Sequence, residues 1–339
     1  MPPRARTVSK PIRALVGELL SGDKRSAAKL ISLIEDDEPE ASAALALIYP
    51  HTGHAHYVGF TGSPGVGKSS LINRLVREFR TRGKRVGVVA VDPTSPYSGG
   101  AVLGDRIRMA DTGIDPGVFI RSMATRGHAG GLALATFDAV RVLDAMGLDI
   151  VFVETVGAGQ SEVEIASRAH TTVVVEMPLT GDAVQTMKAG LLEIGDVYVV
   201  NKTDLGSWEN LVANLQFQIE ERDGWRPPVV TTSALEDRGI VELADALAAH
   251  ATFLSSSGTL HRRNLERARH EILENAQRIL TQRVSRVTPL GAAFDRLAER
   301  VATQELDPQT AAKRLFEDAI RTQAREGSGP RRRKSRVRR

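Results

Sequence analysis

Apolar positions along the chain pass through three regimes. From residue 11 to 48 they recur at helical spacing. Ile12, Leu15, Val16, Leu19 and Leu20 fall on one face, and Ser21-Gly22-Asp23 breaks the run. Ala27, Leu30, Ile31, Leu33 and Ile34 mark a second helix, which ends near Asp36-Asp37-Glu38-Pro39, and a third is predicted over 40–48. From about 55 to 253 short apolar, β-branched runs alternate with helical stretches. The runs lie at 57–60, 86–91, 118–120, 150–153, 172–175, 197–200 and 229–231. They are near-continuous rather than alternating, as in strands buried on both faces of a parallel sheet. After Ser255-Ser256-Ser257-Gly258 helical spacing returns. Leu265, Ala268, Ile272, Ala276, Ile279 and Leu280 form one stripe, and further helices are predicted over 290–303 and 308–325.

This pattern predicts a three-layer α/β fold with a mostly parallel sheet and helical extensions at both ends. The expected units are an N-terminal helical extension at 1–54, a nucleotide-binding domain at 55–254, a C-terminal extension at 255–326 and a tail at 327–339. Three terminal helices are too few for a generous core, so they must pack on the central domain or on another chain. Ligands of such sheets bind at the carboxyl ends of the strands. Asp92, Glu154 and Asn201 each directly follow one of the apolar runs.

Charge changes this picture only at the end of the chain. Net charge is +4, and the tail carries seven cations: Arg331, Arg332, Arg333, Lys334, Arg336, Arg338 and Arg339. Removing seven from +4 leaves −3, so the body is not a general nucleic-acid surface. The tail lacks interleaved aromatics, and no specific nucleic-acid role is expected. The chain has no cysteine, which excludes disulfides and thiolate chemistry and suits a reducing cytoplasm. No run approaches the roughly 20 apolar residues of a membrane span. The basic start (Arg4, Arg6, Lys10, Arg13) has no signal-peptide pattern after it.

The chemistry-bearing motif follows the first predicted strand. Gly62-Ser63-Pro64-Gly65-Val66-Gly67-Lys68-Ser69-Ser70 contains G-x-x-x-x-G-K-[ST]. Glycines there turn backbone N–H groups onto a phosphate, Lys68 reaches the β and γ phosphates, and Ser69 holds Mg²⁺. An apolar helical stretch (Leu71, Ile72, Leu75, Val76, Phe79) follows, so a helix N-terminus faces the anion.

Asn201-Lys202-Thr203-Asp204 follows the run at 197–200 and resembles the N-K-x-D base-reading loop of GTPases. A carboxylate at Asp204 accepts from the ring N–H and the amino group of guanine, a pairing adenine cannot offer. Lys202 would cover the base, and Ser233-Ala234-Leu235 fits the loop that meets the guanine oxygen through backbone N–H. Asp92, Asp105 and Glu154 are candidates for the Mg²⁺ neighbourhood. Gly157 is the candidate γ-phosphate donor, in a segment that orders with that phosphate and relaxes after hydrolysis.

These motifs, with Val91 to Ser95, Leu103 to Arg106, Glu154-Thr155-Val156-Gly157, Gly159 to Glu162, Gly181-Asp182, Gln185, Lys188-Ala189-Gly190 and Asn201 to Asp204, resemble the MeaB/ArgK/MMAA family. Its members are P-loop GTPases that chaperone adenosylcobalamin-dependent acyl-CoA mutases. The resemblance implies GTP hydrolysis to GDP, coupled to gating cofactor delivery to a mutase and protecting it. It implies Ser69 as a direct Mg²⁺ ligand, switches at 92–109 and 154–162, and a partner-facing switch at 178–190 that includes Gly181, Asp182, Gln185 and Lys188. It also implies homodimerisation through the helices after Gly258. Ala101, Arg106-Ile107, Ser122 to His128 and Ala183-Val184 depart from the common pattern near switch and partner-facing segments. They leave the partner open between methylmalonyl-CoA mutase and a relative.

Two other readings are kept. One is a nickel-delivery GTPase, suggested by His51, His54 and His56. The other is a transport-associated ATPase or kinase for basic amino acids, which N-K-x-D disfavours. For hydrolysis, Gln160 lies three residues beyond Gly157 and is not chosen. Lys68 with Asp92 or Glu154 is the expected catalytic set, the acids positioning water through the metal shell, and Lys188 is expected to enter only when a partner orders its loop.

Overall fold

The computed structural model describes residues 8–92, 115–124, 131–155, 168–178, 192–284 and 289–327. Three helices open it: α1 (Lys10–Leu20), α2 (Lys24–Glu35) and α3 (Pro39–Ile48). The break between α1 and α2 is chemical. Gly22 takes a φ of +92°, and Asp23 caps α2 by accepting from the Ser26 N–H at 2.7 Å. Pro11 and Pro39 sit in the first turns of α1 and α3, where their missing N–H costs no helix bond.

Seven strands follow, interleaved with helices. They are β1 (His56–Thr61), β2 (Val86–Asp92), β3 (Val118–Ala124), β4 (Ile150–Thr155), β5 (Thr171–Glu176), β6 (Val197–Val200) and β7 (Val229–Thr231). Among the described residues the helices between and after them are α4 (Lys68–Thr81), α5 (Gly131–Ala145), α6 (Glu209–Gln218) and α7 (Ile240–Ser256). All seven strands lie in one sheet of order β3-β2-β4-β1-β5-β6-β7, and each pairing is parallel. The chain steps from β1 across β4 to β2, then returns to build β5 to β7 on the other side. The strand order therefore reverses at β1, where open α/β sheets take their ligands.

Both faces of the sheet are buried, which is why the strands read as unbroken apolar runs. Val58, Phe60, Val86, Val88, Val173 and Val175 point to one face and pack with Leu71 and Leu75 of α4 and Leu243 and Leu247 of α7. Alternate residues such as Tyr57, Val89, Val91, Val151 and Val153 pack on the other face with α5 and the N-terminal helices. Val174, Tyr198 and Val200 continue that face against Leu215 and Ile219, under α6. The result is a three-layer α/β sandwich with the N-terminal helices built into one layer.

Contacts divide the chain into two compact units, 1–265 and 266–339. Ser255 and Ser256 of the serine cluster finish α7, and α8 (Thr259–Val284) starts after Gly258. Arg263 of α8 belongs to the first unit, held by Asp196 and the His170 carbonyl. Within the second unit, α9 (Pro289–Ala302) and α10 (Pro308–Gly327) pack together.

Candidate functional site

The loop between β1 and α4 is shaped by two glycines that no other residue can replace. Gly62 has a φ of +136°, and a Cβ there would lie 2.1 Å from the Val175 carbonyl oxygen. Gly67 has a φ of +95°, and its Cβ would meet Asn201 Nδ2 at 2.5 Å. The loop thus presses against β5 on one side and the loop after β6 on the other. Lys68 begins α4 and is 5% exposed, and its Nζ donates back to the carbonyls of Gly62 at 2.6 Å and Ser63 at 3.2 Å. The ammonium is therefore held at the mouth of the loop. Ser63, Pro64, Gly65 and Ser70 are exposed along the same loop, and Val66 is buried beneath it.

Parallel register brings β4 alongside. Phe60 pairs with Glu154, and the buried Glu154 carboxylate accepts from Ser69 Oγ at 2.5 Å. Thr155 Oγ1 donates to the Phe60 carbonyl at 3.2 Å and ties the two strand ends together. Ser69 and Glu154 offer hard oxygen donors of the kind Mg²⁺ takes, next to a cationic phosphate loop, so the residues present fit that ion. Asp92 closes β2 on the same rim, opposite Ala124 of β3 and one residue beyond the Val91–Thr155 pair. Its side chain lies outside the described residues, as do Asp105, Gly157, Gly181, Asp182, Gln185 and Lys188 entirely.

The second half of the site is the loop after β6. Asn201 is 1% exposed, and its side chain spans three segments. Nδ2 donates to the Val66 carbonyl at 2.8 Å, while Oδ1 accepts from Thr232 Oγ1 at 3.0 Å and from the Ala234 N–H at 3.3 Å. Asn201 is thus an interior tie between the phosphate loop and the loop after β7. Lys202 takes a left-handed φ of +62°, its stem near Gly67. A single 3₁₀ turn (Thr203–Leu205) then carries Asp204 outward. Ser233 Oγ donates to Asp204 Oδ1 at 2.5 Å, and this bond, more than any other effect, holds the carboxyl below its ordinary range. Asp204 is charged and oriented at neutral pH, as a base-reading acceptor must be. Ser233 and Ala234 are buried, and Leu235 is 78% exposed at the lip.

Three participants were missed from sequence. Thr232 supports Asn201 and accepts at its carbonyl from both the N–H and Oγ1 of Thr203, at 3.1 Å each. Glu176 ends β5; burial raises its pKa and the nearby Lys68 charge opposes that rise. Arg74 on α4 donates from Nε to the Ala234 carbonyl at 2.9 Å. A lone Arg on a helix flank carries no sequence signal of such a contact. The histidine tract does not converge: His56 bonds Thr171 through Nε2 at 2.7 Å, while His51 and His54 line a surface cleft with Asp144 and Asp149. Among the described residues no group of three His, Asp or Glu side chains is arranged to hold a metal ion.

Comparisons with known proteins agree with this geometry. The family model described as "Methylmalonyl Co-A mutase-associated GTPase MeaB" matches residues 27–289. A Pyrococcus abyssi protein named as a GTPase is 47% identical over 315 residues, covering 91% of this chain and 97% of that protein. GTPase ArgK of Escherichia coli is 36% identical over 265 residues, covering 75% of this chain and 79% of its own length. A solved structure titled as a LAO/AO transport system kinase superposes with a TM-score of 0.67 at 26% identity, covering 92% of this chain and 99% of that one.

Proposed function

We propose that this chain, which belongs to the MeaB family of methylmalonyl-CoA mutase-associated GTPases, gates adenosylcobalamin delivery to a cobalamin-dependent acyl-CoA mutase and protects that mutase. It is a P-loop GTPase that binds guanine nucleotides. The family match carries the mutase part of this reading, and the junction of two half-sites carries the nucleotide part. Asn201 bonds the phosphate loop at Val66, and the loop of Asn201 also bears Asp204, so base and phosphates would be read by one connected frame. A Caenorhabditis elegans relative named methylmalonic aciduria type A homolog, 29% identical over 327 residues, favours a mutase as the partner.

In this reading Asp204 accepts two hydrogen bonds from guanine and Lys202 lies over the base. Backbone N–H groups of residues 62–70 cradle the phosphates at the N-terminus of α4. Lys68 leaves its two carbonyl partners for the β and γ phosphates. Ser69 and Glu154 would hold Mg²⁺, with Asp92 and Asp105 in its neighbourhood, and the ion would supply charge neutralisation for phosphoryl transfer to water. Catalysis here is chiefly positioning, so turnover is slow until a partner orders the switch at 178–190, bringing Lys188 to the site. Gly157, Gly181, Asp182 and Gln185 carry nucleotide state to the mutase.

A homodimer is part of the proposal. Ile272 is 71% exposed, and Leu265 and Ile279 are also exposed along the α8 stripe, apolar surface that suits a partner helix. A cytoplasmic setting is proposed with it. No described helix is long and apolar enough to cross a membrane.

Multiple-turnover phosphate release from GTP, with and without a purified methylmalonyl-CoA mutase, tests the role. The reading expects roughly tenfold acceleration by the mutase, lost in Lys188→Ala. An identical rate with and without the mutase, and no association between the two, would reject the partner.

A further inference from the structure

We infer that Arg74 is a specificity-positioning residue, an arginine on the phosphate-loop helix that sets the height of the base-reading loop. The inference rests on the reading of Ser233-Ala234-Leu235 as the segment that meets the guanine oxygen. Arg74 lies on α4, six residues after Lys68, on the flank facing the loop after β7. Its Nε–H donates to the Ala234 carbonyl at 2.9 Å, and NH1 meets Asp237 Oδ2 at 3.2 Å. One planar guanidinium thus grips the loop at two points three residues apart. Such a fork fixes orientation as well as distance, which a point charge cannot do.

The grip falls where it matters for recognition. The Ala234 carbonyl bonded by Arg74 and the N–H groups of Ala234 and Leu235 belong to one short backbone run. The Ala234 N–H also leans on Asn201 Oδ1 at 3.3 Å, so Ala234 is pinned from its two polar ends by two different elements. The loop is further closed by the reciprocal backbone bonds between Ser233 and Arg238, each 3.1 Å. Gly239 follows it, and a Cβ there would lie 2.0 Å from the Thr231 carbonyl oxygen. Asn201 and Asp204 tie the loop to the segment after β6, and Arg74 is the side chain that ties it to α4. The ion pair with Asp237 is solvent-exposed on the Asp237 side and contributes little alone. The half-buried bond to the carbonyl is the contact that acts.

The consequence is base selectivity rather than phosphate affinity. Full-length protein with Arg74→Ala, Arg74→Lys and no substitution would be titrated with GDP, IDP and ADP, alongside thermal unfolding. IDP keeps the oxygen at C6 but lacks the amino group, so it isolates the Ala234 segment from Asp204. Arg74→Ala is expected to weaken GDP and IDP about tenfold each, as for loss of a charge-assisted hydrogen bond. ADP should bind with unchanged weak affinity, and Arg74→Lys should recover part of the loss. Unchanged GDP and IDP affinities, or equal losses for all three nucleotides with a lowered melting temperature, would overturn the inference. A wild-type protein that binds ADP as well as GDP would overturn instead the base-reading assignment beneath it.

Discussion

At the amino rim of the sheet a file of polar groups is shut among strands and helices. His56 Nε2 and His250 Nδ1 both meet Thr171 Oγ1 at 2.7 Å, and His250 Nε2 lies 3.5 Å from Asp196. Asp196 in turn takes a bidentate pair from Arg263 and the N–H of Thr172. At the carboxyl rim the polar groups sit at element ends around the loop between β1 and α4: Lys68 and Ser69 open α4, Glu154 lies near the end of β4, and Asp204 sits in the turn after β6. Burial at the amino rim holds both histidines neutral, with pKa values lowered to about 4. At the carboxyl rim a hydrogen bond holds Asp204 charged. The same kinds of side chain serve cohesion at one end and recognition at the other. The difference lies in whether their remaining bonding capacity is spent inside the protein or kept for a ligand.

Two measurements break that comparison if it is wrong. The largest effect is expected at the carboxyl rim. Lys68→Ala removes the ammonium from the phosphate loop and should cut GTP turnover by about a thousandfold, as when a preorganised charge at a transition state is lost, while leaving the unfolding free energy nearly unchanged. Ordinary turnover by this variant would place Lys68 among structural residues.

A smaller effect is expected at the amino rim, and it runs through stability. The folded-state pKa values of His56 and His250 lie below the 6.5 of a free histidine. The unfolded chain therefore binds more protons in this window, and stability falls as pH drops from about 6.5 toward 4. Each histidine should cost about 2 kcal/mol between pH 7 and 5. Urea unfolding at the two pH values reads the drop, and His250→Asn should lessen it. A pH-independent midpoint would show that the histidines are not held neutral by the fold.

Sequence made most of the fold legible because both periodicities are strong. Every predicted apolar run became a strand, since burial on two faces demands unbroken apolar residues. The helices over 10–48 and after 258 also followed their stripes. Gly62, Lys68, Ser69 and Asp204 stand out in the sequence because phosphate and guanine chemistry tolerate few alternatives. The supports were not. Arg74 and Thr232 act through a backbone carbonyl and an amide side chain contributed by distant segments, and such pairings are set by register rather than by local pattern. Asn201 stood out by its motif, but its bonds to Val66, Thr232 and Ala234 across three segments carry no local sequence signal. The serine cluster at 255–257 reads as a boundary between units, yet Ser255 and Ser256 bond back to the carbonyls of Ala251 and Phe253 within α7.

The most direct measurement is the nucleotide preference of Asp204→Asn. This exchange keeps an oxygen for Ser233 to donate to and replaces only the outward acceptor with a donor. Wild-type protein should hold GDP far more tightly than XDP. In the variant the order should reverse, with the GDP-to-XDP ratio moving by about 10⁴-fold. A variant that still prefers GDP by the wild-type margin would contradict the assignment of this loop to guanine, and with it the account of the site.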